Sequence, residues 1–153
     1  MYSPNLVTWR SQYDRMVRGW ERLQGDYYSS INYEDDTYHY FQDCWHLKDW
    51  IKNDANLSQS VRDSIESEVD KHEPLRVVAD LANGSKHLNI TRNIREGAHV
   101  TGGHLTIGLG QNIPIDIDYT VALDKSGKVL STKAVVKETF DSWQIVLKKL
   151  NLL

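Results

Sequence analysis

The chain has 153 residues and a mass of 17.7 kDa, with 40% hydrophobic and 25% charged residues, a balance that fits one globular domain and is too polar for a helical membrane protein. A formal charge of −3 and a pI near 6.0 exclude a bulk basic field for nucleic acid. The lone Cys44 excludes an internal disulfide and a cysteine metal site, as suits a reducing cytoplasm.

The opening residues Met1-Tyr2-Ser3-Pro4 lack the charged and then apolar regions of a secretory signal, and no stretch approaches the ~18 apolar residues that span a bilayer. The sequence therefore reads as cytoplasmic. Leu6, Trp9, Tyr13, Met16, Trp20 and Leu23 recur at steps of three and four, the signature of one helix face, with Gly25 as a stop signal. On the other side Arg15, Arg18 and Arg22 form a line, with Arg10 nearby. This stripe can track phosphates, or it can be a solvated face balanced by Asp14 and Glu21.

The acidic run Glu34-Asp35-Asp36 is placed where carboxylates favour the start of a second helix. Tyr40, Cys44, Leu47 and Ile51 form its core line, widened by Phe41 and Trp45, while His39, Gln42, His46, Asp49 and Asn53 face away. Asp54 to Asn56 breaks the pattern. A shorter helix then runs from about Ser58 to Val69, capped by Ser58 or Ser60. Pro74 suits the first turn of a fourth helix. There Leu75, Val77, Val78, Leu81, Ala82 and Leu88 are apolar, and Arg76, Asp80, Asn83 and His87 make a separate polar line. Gly84 weakens that helix by about 1 kcal/mol relative to Ala, which points to a close packing contact.

From about Asn89 the composition turns to Gly, Thr and β-branched residues. Ile113, Ile115, Ile117, Tyr119, Val121 and Leu123 alternate as in a strand, Asp124 to Gly127 form a turn, and a second strand is expected over about Lys128 to Val136. A third strand is expected near His104 to Leu109, because a hairpin alone is marginal in water. Phe140, Trp143, Leu147 and Leu150 define a closing helix. The fold class is thus α+β: a mainly helical bundle of four or five helices, with a C-terminal β-hairpin or small antiparallel sheet and a terminal helix. The whole is read as a single domain over 1–153, divided into a helical part (1–88), a β-rich part (89–137) and a closing helix (138–153).

The six histidines show no metal-ligand spacing, so neither metal nor cofactor is expected. Asp116 and Asp118 read as an outward, solubilising pair, and Cys44 as a small buried hydrophobe. The candidate site joins His46 and Asp49 of the second helix to Asp80, Asn83, Lys86 and His87 of the fourth, if the two helices pack antiparallel. A His exchanges protons near neutral pH and a Lys stabilises developing negative charge. A buried network fixing helix register is the competing account of the same residues. The site reading requires positions 80, 83 and 87 to share a partly wet crevice.

The stretch Ala82-Asn83-Gly84-Ser85-Lys86-His87 resembles the R-N-x-x-x-H helix motif of the HEPN superfamily, small all-α proteins common in bacterial toxin and phage-defence systems. The likeness covers mainly residues 38 to 88, and only Asn83 and His87 carry over, because Ala82 stands where the family has its catalytic Arg. In active members the Arg and His of two subunits gather in a dimer cleft and cut RNA without metal. An Ala cannot hold the charge of a phosphorane. Arg76, on the same line, lies two turns short, and the pair Arg92 and His99 falls in the glycine-rich segment.

The resemblance implies a non-catalytic or weakly catalytic binding module, homodimeric, with RNA or a protein as partner. One alternative is a metal-independent endoribonuclease using His87, Asn83, His46 and Lys86, with Arg76, Asp80, Asp49, Arg15, Arg18 and Arg22 as binding groups. The other is a structural partner subunit of a larger complex.

Overall fold

The fold was analysed in a computed structural model that describes residues 7–86, 94–108, 110 and 112–153. It is α+β and mainly helical. Four helices, α1 (Trp9–Leu23), α2 (Ser30–Asn53), α3 (Gln59–Asp70) and α4 (Glu73–Lys86), precede strands β1 (Ala98–Thr106), β2 (Asp116–Leu123) and β3 (Val129–Ser131), and α5 (Thr132–Lys149) closes the chain. The strands form one antiparallel sheet in the order β1-β2-β3. No described helix is long and apolar enough to cross a membrane.

The central post is α2, packed against α1, α3, α4 and α5. Its expected core line Tyr40, Cys44, Leu47 and Ile51, with Phe41, is fully buried. Tyr40 and Trp143, aromatic residues with polar tips, sit deeper than their chemistry suggests because each tip has a backbone acceptor. The Tyr40 hydroxyl donates to the Val136 carbonyl at 3.0 Å, and the Trp143 indole N–H donates to the Cys44 carbonyl at 3.1 Å. Both bonds tie α2 to α5 and leave no polar atom stranded by the burial of the ring. Burial also pushes the Cys44 thiol up, which suits a packing role.

Several boundaries differ from the sequence reading. Helix α2 starts at Ser30, because the Ser29 hydroxyl accepts from the Asn32 N–H and Tyr33 is needed in the core, so the acidic run lies inside the helix. The expected strand over 128–136 ends at Ser131, and α5 begins at Thr132 rather than near 138. There the Ser131 hydroxyl accepts from the Ala134 N–H, while Asp118 Oδ1 accepts from the Thr132 hydroxyl at 2.5 Å and from the Lys133 N–H at 3.2 Å. Asp118 is therefore buried at the head of α5 and is no solubilising partner of Asp116. Strand β1 starts earlier than expected, at Ala98, and overlaps the expected third strand over His104–Thr106.

A second carboxylate acts in the same way on α1. Buried Asp54 accepts from the Trp9 N–H at 2.9 Å and from the Asn56 N–H at 2.9 Å, joining the head of α1 to the end of α2. Desolvation raises its pKa, but these N–H donors and the Asn56 side chain outweigh it and hold the carboxyl below its ordinary range.

Two outcomes are expected. In urea unfolding, Asp118→Ala should cost about 2–4 kcal/mol, since it removes the charged acceptor of the Thr132 hydroxyl and of the Lys133 N–H at the head of α5; a loss below about 0.5 kcal/mol would show that α5 does not depend on this residue. Because the folded pKa of Asp54 is lowered, its stabilisation is complete above the unfolded value near ~4 and fades as pH falls through the folded value. Wild type should therefore keep its advantage over Asp54→Asn from neutral pH down to about 4 and lose it only as pH falls further, as read from unfolding curves.

Candidate functional site

The polar line on α4 divides into groups with different duties. Asp80 is 1% exposed. Its Oδ1 accepts from the Arg95 N–H at 3.0 Å, and its Oδ2 accepts from the N–H groups of Glu96 at 2.8 Å and Ala98 at 3.2 Å. A single carboxylate thereby holds the backbone that leads into β1. Arg76, one turn earlier, reinforces the same joint: its Nε donates to Glu96 Oε1 at 2.7 Å and its Nη1 to the Asp70 carbonyl at 2.6 Å. Arg76 and Asp80, expected as binding groups, are straps between α4 and the following chain.

Gly97 completes the joint. Its φ of +66° is the left-handed region that glycine adopts at little cost, and a Cβ there would lie 2.8 Å from the Cβ of Asp124. The Asp124 N–H donates to the Gly97 carbonyl at 3.3 Å, and the Lys125 N–H donates to that of Glu96 at 3.2 Å. The entry to β1 is thus fastened to the turn after β2.

Above this joint opens a cleft of about 480 Å³ between α2, α4 and the sheet. Tyr38 of α2, Leu81 and Gly84 of α4, and Val100 of β1 line its walls, Asp80 lies beneath it, and His99 and Asp124 stand at the rim. Helices α2 and α4 pack against each other, and Gly84 lies in the cleft wall. The Tyr38 hydroxyl is pushed up by burial and then by Glu34, so it stays a neutral donor at physiological pH. His99 Nδ1 lies 3.6 Å from Asp124 Oδ1 and 3.1 Å from the Gly97 carbonyl oxygen. These side chains are 50% and 70% exposed, so the pair is open to a visiting ligand and adds little to stability.

The other expected site residues are dispersed. His46 is exposed on α2. Asp49 accepts from Lys48 Nζ at 2.6 Å and lines a separate cavity of about 370 Å³ with Trp9, Trp50 and Asp54 at the head of α1. It is therefore engaged away from the Asp80 joint. Asn83 is half-buried on α4. His87 and the Lys86 side chain lie outside the described residues, as does Leu88. Of positions 80, 83 and 87, Asp80 lines the cleft between α2, α4 and the sheet with its oxygens bonded to backbone N–H groups, Asn83 is not among the lining residues, and His87 lies outside the described residues.

The arginine stripe on α1 is partly spent within the chain. Arg15 Nη1 donates to Gln12 Oε1 at 2.6 Å and its guanidinium lies 5.6 Å from the Trp50 ring centre. Arg22 Nε is 3.7 Å from Asp36 Oδ1, and Arg18 is exposed. One cationic feature escaped the sequence reading. Trp45 carries Lys48 Nζ 4.3 Å and the Arg95 guanidinium 4.5 Å from ring centres, which gathers positive charge beside the Asp80 joint. Spacing could not reveal this, because Arg95 comes from a different part of the chain. Among the described residues no group of three or more His, Cys, Asp or Glu is placed to hold a metal ion.

Comparison of the chain with models of known families, with curated proteins and with solved structures returns no match.

Asp80→Asn replaces one acceptor oxygen by a donor that faces N–H groups. A loss of about 3 kcal/mol in urea unfolding is expected, together with faster amide exchange at residues 95–98. Unchanged exchange there would refute the strap.

Proposed function

We propose that this chain is a non-catalytic, HEPN-like binding module, a cytoplasmic homodimer of a bacterial toxin or phage-defence pathway, which receives a protein partner at the cleft between α2, α4 and β1. The carrying observation is the commitment of Asp80. With its two oxygens occupied by three backbone N–H groups, the central acid of the polar line is a structural tie and is not poised for proton transfer. A cleft with an apolar wall, a neutral Tyr38 hydroxyl and the exposed His99–Asp124 pair remains above it. Such a mixture suits a side chain or backbone segment of a protein.

RNA is the less favoured partner. The Asp124 carboxylate at the rim opposes phosphate, and on α1 Arg15 donates to Gln12 while Arg22 stands near the Asp36 carboxylate. The endoribonuclease reading would also need a group to do the work of the Arg that Ala82 replaces.

Incubating the purified protein with mixed RNA in EDTA separates the two. Intact RNA is expected with both wild type and His87→Ala; cleavage by wild type that disappears in His87→Ala would overturn the non-catalytic reading.

A further inference from the structure

Strand β1 is the outer strand of the sheet, and among the described residues nothing pairs with its far edge. In an antiparallel sheet about half of the N–H and C=O groups of such a strand point away from its neighbour. From Thr101 to Ile107 every residue is exposed, including Leu105 at 46% and Ile107 at 68%. Proteins blunt an edge of this kind with Lys, Pro or a bulge. Here the only such device within the strand is the register shift between Val100 and Gly102, after which Gly102–Thr106 pair regularly with Asp116–Thr120.

The charge pattern is unusual for this chain. Residues are 25% charged overall, yet from Gly97 to Ile115 there is no Lys, Arg, Asp or Glu. A strand that meets a charged peptide gains from opposite charge. One that meets its own copy across a two-fold axis brings together two strands of equal net charge, with like facing like beside the axis, so a strand without charge meets its copy in any register without repulsion. Gly103 fits the same purpose: the Tyr119 ring of the neighbouring strand lies over it, 2.7 Å from where a Cβ would be, so the strand stays regular at a residue with no side chain of its own. The opposite edge of the sheet offers no competing long strand, since β3 has only three residues and runs directly into α5. Edge pairing therefore closes at two copies and does not propagate.

We propose that two copies of this chain associate through antiparallel pairing of β1 with β1, joining their sheets into one of six strands. This locates the homodimer proposed above and rests on that part of the reading.

Sedimentation velocity on the full chain, over a concentration series through the micromolar range, tests it. Wild type should dimerise, and Leu105→Lys or Ile107→Lys should each weaken the dimer at least about tenfold by setting like charges on the paired edges. Thermal unfolding, extrapolated to low concentration, should be unchanged in both variants because neither side chain is in the core. Ile145→Lys, at an equally exposed position on α5, should leave the dimer intact. A dimer indifferent to both β1 variants, or broken by Ile145→Lys as well, would overturn the β1 interface while sparing the dimer. A chain that stays monomeric throughout would overturn both, and would leave the reading of the cleft to the RNA test.

Discussion

The joint between Asp80 and the backbone of residues 95–98 is the constraint on which the arrangement of helices and sheet depends. It fixes where the chain re-enters after α4 and therefore where β1 can begin. With β1 set, the antiparallel register places β2 from Leu123 opposite Ala98 to Asp116 opposite Thr106. Strand β2 then carries Asp118 to the head of α5. Burial of the Asp80 carboxyl is tolerable because both of its oxygens accept backbone N–H groups.

The same device appears at three places. Asp54 receives the first N–H of α1, Asp80 the N–H groups leading into β1, and Asp118 the first hydroxyl and second N–H of α5. Each element start has backbone donors with no partner of its own, and each is met by a carboxylate distant in sequence or from another element. Fixing an element at its first turn also fixes its direction, so three short polar contacts orient a core otherwise held by non-directional packing. The aromatic tips of Tyr40 and Trp143 do comparable work between α2 and α5.

These commitments shape the functional reading by subtraction. Acidic residues that a sequence pattern offers as catalytic or binding groups are taken up in holding the fold. What stays available is the cleft above Asp80, with Tyr38, His99 and Asp124 around it, and the uncharged edge of β1 beside it. Both features lie on or next to β1. The strand that Asp80 positions thus borders the cleft and carries an exposed edge without Lys, Arg, Asp or Glu.

Helical periodicity alone determined α1, the core line of α2 and the buried face of α4, because an amphipathic stripe has one favourable way to meet a core, whereas the cap of α3 was left between Ser58 and Ser60 until the structure chose Ser58. It also determined the α+β class and the packing role of Cys44. The end of the expected strand at Ser131 was hidden, since Thr132 to Val136 has β-branched residues suited to either state, and Asp118 decided for helix from across the sheet. The fate of Asp80 was hidden for the same reason: a helical wheel places it on a polar line with Asn83, but only the folded chain brings residues 95–98 within hydrogen-bond reach. Local pattern fixes which side chains share a face, whereas the partners of a buried charge are chosen by chain segments that are remote until the protein folds.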